Sequence, residues 1–275
     1  MKKLHSIIVI LVAIITISCE KVTDVNLNTA PPKLVVDASI TWQKGTSGNE
    51  QKIKLTTTTS YYTPVAPAVS GATVTIKSSD NIIFDFIETP NTGDYICSSF
   101  IPIIGETYTL TINYNGQILT ATETLKSVPV IDKIEQEVKP KFSGDGNQID
   151  VKTYFTDPVN SDDFYLTKTQ TSITAIPEFR VTEDTFFQGN QIFDLYQNEN
   201  IVPGNVIEIN LYGISQRYFN YMTILTSIAG NAGGGPFSTP PSTLRGNVIN
   251  TTNPANYVLG YFSISEVDKI IYTVQ

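Results

Sequence analysis

The residues best placed to do chemistry in this 275-residue chain are carboxylates. Asp157-Pro158-Val159-Asn160-Ser161-Asp162-Asp163 gathers three of them and an Asn carbonyl into one short segment. A hard cation such as Ca²⁺ takes several oxygen ligands from one loop, which makes Asp157, Asp162 and Asp163 the residues to watch for an ion. Their spacing is not that of an EF-hand, and Asp, Asn, Pro and Ser are ordinary turn formers, so no metal is assigned. Glu183, Asp184 and Glu199 offer the carboxylates that glycoside hydrolysis uses, but nothing in their spacing selects a pair. Gly230-Asn231-Ala232-Gly233-Gly234-Gly235-Pro236 is glycine-rich. It follows a helical pattern instead of opening one and lacks Gly-Lys-Ser/Thr, so it reads as a turn and not as a phosphate cradle. No Gly-x-Ser-x-Gly or Ser-x-x-Lys motif is present.

Two absences narrow the field further. The single histidine is His5, inside a segment that reads as a removable signal. Without it the mature chain has no Ser-His-Asp or Cys-His catalysis and no His-ligated metal site. Cys97, in Gly93-Asp94-Tyr95-Ile96-Cys97-Ser98, has no base to activate its thiol and reads as a small core hydrophobe. The expectation is therefore a non-enzyme with no cofactor. The formal charge is −8, from 18 Lys+Arg against 26 Asp+Glu. An acidic chain without basic clusters argues against nucleic-acid binding, which needs cations to neutralise phosphates. Tyrosine (14), phenylalanine (13) and one tryptophan remain as binding material. Tyrosine stacks and hydrogen-bonds, but most such rings in strands serve the core.

The N-terminus reads Met1-Lys2-Lys3, then an apolar run from Ile7 to Ile15, then Thr16-Ile17-Ser18-Cys19. A basic start, an apolar stretch of secretory length and a small residue before cysteine form a lipoprotein signal. Residues 1–18 are expected to be removed and Cys19 to be acylated, anchoring the chain to a lipid bilayer. Each buried CH₂ contributes about 0.8 kcal/mol to such an anchor. Residues 19–32, closed by Pro31-Pro32, read as the tether. No later stretch is apolar for the roughly 20 residues a membrane-spanning helix needs.

What must position any site is a mostly β fold. From Lys33 onward apolar residues alternate: Leu34/Val36/Ala38/Ile40/Trp42, Ile53/Leu55, Ala72/Val74/Ile76, Ile82/Phe84/Phe86, Tyr95/Cys97, Tyr108/Leu110/Ile112/Tyr114, and Ile118 to Leu125. Period-two alternation marks half-buried strands. Asn115-Gly116 between two such runs predicts a two-residue type I′ hairpin. Short strands at regular spacing over 33–127 read as an immunoglobulin-like β-sandwich. Ser127-Val128-Pro129-Val130 breaks the pattern and is expected as a domain boundary. The second domain, 128–275, is β-rich, with strands expected near 130–138, 148–156, 163–171, 178–187, 205–213, 257–264 and 267–274. One amphipathic helix near 215–229 is expected to carry Tyr218, Tyr221, Met222, Leu225, Ile228 and Ala229 against a sheet, with Ser215 as its N-cap. A long loop over 230–256 follows, and loops of that length are usually functional or mobile.

Several segments together carry a family resemblance. They are Cys19-Glu20-Lys21, Pro32-Lys33-Leu34-Val35-Val36-Asp37-Ala38-Ser39-Ile40, Val69-Ser70-Gly71-Ala72-Thr73-Val74-Thr75-Ile76 and Gly93-Asp94-Tyr95. Gly105-Glu106-Thr107-Tyr108-Thr109-Leu110-Thr111-Ile112, Phe155-Thr156-Asp157-Pro158 with Phe164-Tyr165, and Asp184-Thr185-Phe186-Phe187-Gln188-Gly189 follow. The Tyr218 helix and Pro236-Phe237-Ser238-Thr239-Pro240-Pro241 ahead of Leu259-Gly260-Tyr261-Phe262 complete the set. In this order they resemble the Bacteroidota lipoprotein family known as domain of unknown function 4249. The first half is also similar to carboxypeptidase-regulatory-like β-sandwiches. One departure is Asp162-Asp163-Phe164-Tyr165, where relatives often carry Asn-Tyr-Tyr after the Asp-Pro. The family has no assigned catalytic residues to transfer. Its genes commonly neighbour those of TonB-dependent receptors, so the resemblance implies an outer-membrane lipoprotein acting as accessory or ligand-capture partner of such a receptor. The alternative expectation is a structural or adhesive envelope lipoprotein. Glu20-Lys21-Val22-Thr23-Asp24 alternates in charge and leaves the surface and periplasmic orientations both open.

Overall fold

The computed structural model describes residues 30–60, 63, 65–141, 146–159, 161–229 and 244–275. Cys19, the signal segment, Asn160 and residues 230–243 of the expected loop lie outside them. Fifteen strands and one helix occupy the described part. The first seven strands are β1 (Leu34–Gln43), β2 (Gln51–Thr57), β3 (Thr73–Ser78), β4 (Ile83–Thr89), β5 (Asp94–Cys97), β6 (Thr107–Tyr114) and β7 (Gln117–Thr124). They follow the alternation closely. Val36, Ala38 and Ile40 of β1, Ile53 and Leu55 of β2, and Tyr95 and Cys97 of β5 point inward. They meet Val74 and Ile76 of β3, Leu110 and Ile112 of β6, and Leu119 and Ala121 of β7 in one apolar cluster. Two facing β-layers with a shared interior make this part a sandwich. Asn115 and Gly116 take φ of 49° and 73° between the paired strands β6 and β7, as the type I′ turn requires.

The second half contributes β8 (Ile131–Pro140), β9 (Asn147–Thr156), β10 (Phe164–Thr171), β11 (Glu178–Glu183), β12 (Gln191–Gln197), β13 (Val206–Ile214), α1 (Gln216–Ala229), β14 (Ile249–Asn250) and β15 (Leu259–Thr273). β12–β9–β8 form a separate three-stranded sheet. It packs its Ile149, Val151 and Tyr196 against Ile207 and Ile209 of β13, closing a second core. The mostly-β class with one helix is what the sequence led to expect, and no described helix is long and apolar enough to cross a membrane.

The halves are not separate. β15 pairs in parallel with β1 from Val35↔Leu259 to Gln43↔Val267, and pairs antiparallel with β13 from Tyr212↔Val267 onward. One sheet of order β11-β10-β13-β15-β1-β2-β5-β4-β3-β6-β7-β14 results, and Pro32–Gln275 is a single compact unit. The break expected near residue 127 is therefore a crossing between layers, not a gap between two domains. Lys126 O accepts from Glu266 N (3.1 Å), Glu266 Oε2 from Val128 N (2.9 Å) and Asp268 Oδ2 from Ile131 N (2.7 Å). Gly213 makes the crossing possible: a Cβ there would sit 1.8 Å from Ser127 O.

Three further expectations change for physical reasons. The two strands expected at 257–264 and 267–274 are one, because Ser265-Glu266 is not a turn but a buried polar pair. Glu266 reaches both the crossing and Lys44 Nζ (2.8 Å). The strand expected over 178–187 stops at Glu183, where Asp184 O accepts from Phe187 N in a turn. β12 had no counterpart in the sequence reading. Its inward positions are Ile192, Asp194 and Tyr196 and its outward ones include Phe193, half exposed, so a charge faces in and a ring faces out at mid-strand and blurs the alternation. Of the expected loop, the described 244–256 carries β14, paired to β7.

Candidate functional site

The sheet has one face covered by the two cores, while α1 lies across the other. Strand parity decides which side chains meet it. Leu166 of β10 and Ile214 of β13 face α1 and bury Met222, with Tyr212, Tyr218, Phe219 and Leu225 packed around them. Ser215 holds the start of the helix: its Oγ accepts from Tyr218 N (3.2 Å) and its carbonyl from Phe219 N (2.9 Å). α1 has no acidic residue in its own first turn. Glu123 of β7 lies against Ser215 and Arg217 and accepts from Tyr261 Oη (3.3 Å). Burial pushes the Glu123 carboxyl above its usual range, against the lowering pull of Thr124 N–H, Ser215, Tyr261 and Arg217. Tyr218, Tyr221 and Tyr261 form an aromatic knot, with ring centroids 4.7 Å (Tyr218–Tyr261) and 4.6 Å (Tyr221–Tyr261) apart. Burial pushes the Tyr218 hydroxyl up to about 12.

Between α1 and the sheet runs a cleft of about 900 Å³, the size range of small-molecule sites. Tyr218, Met222, Leu225, Thr226 and Ala229 form one wall, all on one helical face. Ile176, Pro177 and Phe179, from the β10–β11 turn and β11, form the opposite wall. The floor is Leu166 and Lys168 of β10 and Tyr212 of β13, continued by Ser263 and Ser265 of β15 and by Asp37, Ser39 and Thr41 of β1. Five adjacent strands contribute, so the cleft spans roughly 19 Å across the sheet at about 4.8 Å per strand. It is mostly apolar, with a line of hydroxyls at the β1–β15 end. At the β1 end Ser39 Oγ donates to Asp37 Oδ1 (3.0 Å), a hydroxyl–carboxylate contact at the exposed rim. The arrangement can hold an elongated molecule by burial and hydrogen bonds.

The carboxylates of the 157–163 segment form a second constellation. The structure brings together Asp157, Asp163 and Asp184, with one oxygen of each within 4.8 Å of the others. Asp162 is not part of it: its Oδ1 accepts from Gln188 Nε2 (3.0 Å) at the surface. Three carboxylates at this spacing have the donor chemistry for a hard cation. Each is also engaged by the protein. Asp157 accepts from Tyr165 Oη (2.5 Å) and Gly189 N (3.3 Å), Asp184 from Asp163 N (2.9 Å), and Asp163 from Ser161 Oγ (2.5 Å). Burial raises the Asp157 carboxyl, and the neighbouring Asp184 and Asp163 push it the same way. The trio fastens the 157–163 segment to the 184–190 turn. Glu183 pairs across to Phe164, apart from the cluster, and Glu199 is exposed on a separate turn. Cys97 is a buried free thiol in the sandwich core.

The helix stripe and the outward polar face of β1 were readable in the sequence. Lys168, Tyr212 and Ile176 were not. Nothing local shows that β10 and β13 present them beneath α1, although Lys168 alternating with inward Thr167 and Thr169 is a parity signal.

Comparison with known proteins adds a family and a remote structural likeness. The family described as "Domain of unknown function (DUF4249)" matches residues 20–271. No curated protein matches. Among solved structures, the two fibronectin type-III domain segment from chicken tenascin is 15% identical, with 66% of this chain and 90% of that chain covered and a TM-score of 0.22. At that score the sandwich rests on its own strand order and core, as described above.

Proposed function

Because the chain belongs to the DUF4249 family, we propose that it is a non-catalytic, outer-membrane-anchored lipoprotein of Bacteroidota that captures a ligand for a TonB-dependent receptor. The observation that carries this reading is the cleft between α1 and the sheet, roomy and mostly apolar. Anchoring is supported by the signal pattern of residues 1–18 and by Cys19 at its end. The decisive experiment is a crosslinked pull-down of the full lipoprotein from native membranes, read by mass spectrometry. A TonB-dependent barrel as dominant partner is expected. Only self-contacts or peptidoglycan would overturn the accessory role. Cys19→Ala should also release the chain from the membrane fraction.

One observation favours a second reading, a structural or adhesive envelope lipoprotein. Ile82 in the β3–β4 turn, Ile83 at the start of β4, and Ile101, Ile103 and Ile104 in the β5–β6 loop are exposed. They cap the end of the sandwich opposite the start of β1, since β2 begins there beside the end of β5. Exposed apolar ends of this kind mark contacts with other proteins. Deletion that alters surface adhesion and leaves nutrient uptake intact would favour this reading over the first.

A further inference from the structure

The cleft carries a charge pattern that names a ligand class. Lys168 stands half-buried on its floor and makes no ion pair or hydrogen bond with any described residue. It lies opposite Asn210 on β13, and the nearby Glu208 is already engaged by Lys269 Nζ (2.8 Å) and Asn210 Nδ2 (3.0 Å). Glu178, at the edge of the same cleft, is held by Arg180. Lys168 stands in register with Phe179 and two residues from Leu166 on the same face, and the carboxylate that feels its charge, Glu208, is bound by Lys269, so an anion arriving with the ligand would give the ammonium an ion pair of its own.

The rest of the lining fixes the body of that ligand. Met222, Leu225, Ile176 and Phe179 are apolar, and Ile176 is 78% exposed. Such walls suit hydrocarbon, while the tyrosines of the lining, Tyr196, Tyr212 and Tyr218, are what a sugar would need, which makes maltohexaose the competing probe. At the other end Ser265, only 4% exposed, borders the cleft beside Ser263. The span across five strands gives room for a chain-like molecule.

We propose that the α1 cleft binds an elongated aliphatic carboxylate, its acid group paired with Lys168 and its chain lying between Met222/Leu225 and Ile176/Phe179. This ligand class rests on the reading of the cleft as the capture site. The test uses the mature chain, residues 19–275 with Cys19→Ser to keep it free of acyl groups, titrated calorimetrically with dodecanoate, dodecanol and maltohexaose below micelle-forming concentrations. Saturable dodecanoate binding is expected, weakened at least tenfold by Lys168→Gln. Weaker dodecanol binding should be indifferent to that substitution. A photoreactive dodecanoate should label peptides of α1 and 176–179. Equal binding of dodecanol and dodecanoate, no effect of Lys168→Gln, labelling elsewhere, or binding of maltohexaose alone would each overturn the proposal. A barrel retained in the pull-down without carboxylate binding refutes the ligand class alone. A barrel lost while carboxylate binding persists refutes the accessory role alone.

Discussion

Replacing Gly213 with alanine puts a methyl group into the 125–130 crossing. The new Cβ would stand 1.8 Å from Ser127 O, 2.6 Å from Ser127 C and 3.2 Å from Val128 N, where an ordinary contact is 3.4 Å or more. All three are backbone atoms, so no side-chain rotation relieves the overlap. The crossing has to lift from β13. Lifting breaks the bond from Val128 N to Glu266, and a hydrogen bond to a charged acceptor contributes about 1.5–3 kcal/mol. It also uncovers Val128, buried beside Phe155, Tyr165 and Leu211, and full burial of a valine contributes about 1.5–3 kcal/mol. With partial relaxation the expected loss is about 3 kcal/mol. For a slope of about 2–3 kcal/mol/M that lowers a urea midpoint by roughly 1 M or more. Gly45→Ala is the control. Its φ is +77° but nothing lies within 4 Å, so only left-handed strain of about 1 kcal/mol applies. If Gly213→Ala and Gly45→Ala fall by the same small amount in urea unfolding followed by circular dichroism, the close-approach argument is wrong.

Three other perturbations have defined outcomes. Met222→Ala empties the buried contact between α1 and Leu166/Ile214 and should cost about 2–3 kcal/mol, with faster amide exchange in α1 and unchanged protection in the sandwich. Arg180→Gln strips the guanidinium from buried Asp194 (Nε–Oδ1 3.1 Å). Because Arg180 is itself about half exposed, chemical denaturation should show a loss of about 1–2 kcal/mol, less than for a fully buried pair. Glu123→Gln keeps an acceptor for Tyr261 and removes a carboxyl whose folded-state pKa lies above its ordinary 4.5. A raised carboxyl favours the folded state below the unfolded pKa, and that advantage is lost as pH rises through the folded value. The variant should therefore match the parent near pH 4 and melt higher at pH 7. A parallel pair of melting curves across that range would show that burial does not penalise this charge.

The first seven strands were legible because each alternates strictly and faces one interior. Asn115-Gly116 was legible because a two-residue turn is encoded by the two residues themselves. α1 was legible from its stripe and Ser215. What local pattern could not convey was partnership. Ser265 and Glu266 look like turn residues until Val128 N and Lys44 are found waiting for the carboxylate. Asp194 disguises β12 because its partner Arg180 sits on another strand. The candidate site shows the same division. Half of it, the tyrosine helix and the β1 polar face, was visible as pattern. The lysine that is the cleft's cation, across from Asp37 and Glu178 in the same lining, became meaningful only once β10 was placed beneath the helix.

The position of β15 has a kinetic meaning. It is the last strand made, yet it is the parallel neighbour of the first, in the middle of the large sheet. Until it arrives, β1 presents an open edge, and Phe262 and Ile264 are missing from the interior that Val36, Ala38 and Ile40 began. Pairing across nearly the whole chain makes for slow folding, since loop closure precedes any gain from contact. A chain made N-terminus first would then hold an unfinished sheet until residues 259–267 reach β1. Loss of residues 259–267 would leave the first strand, and not only β13, without its neighbour.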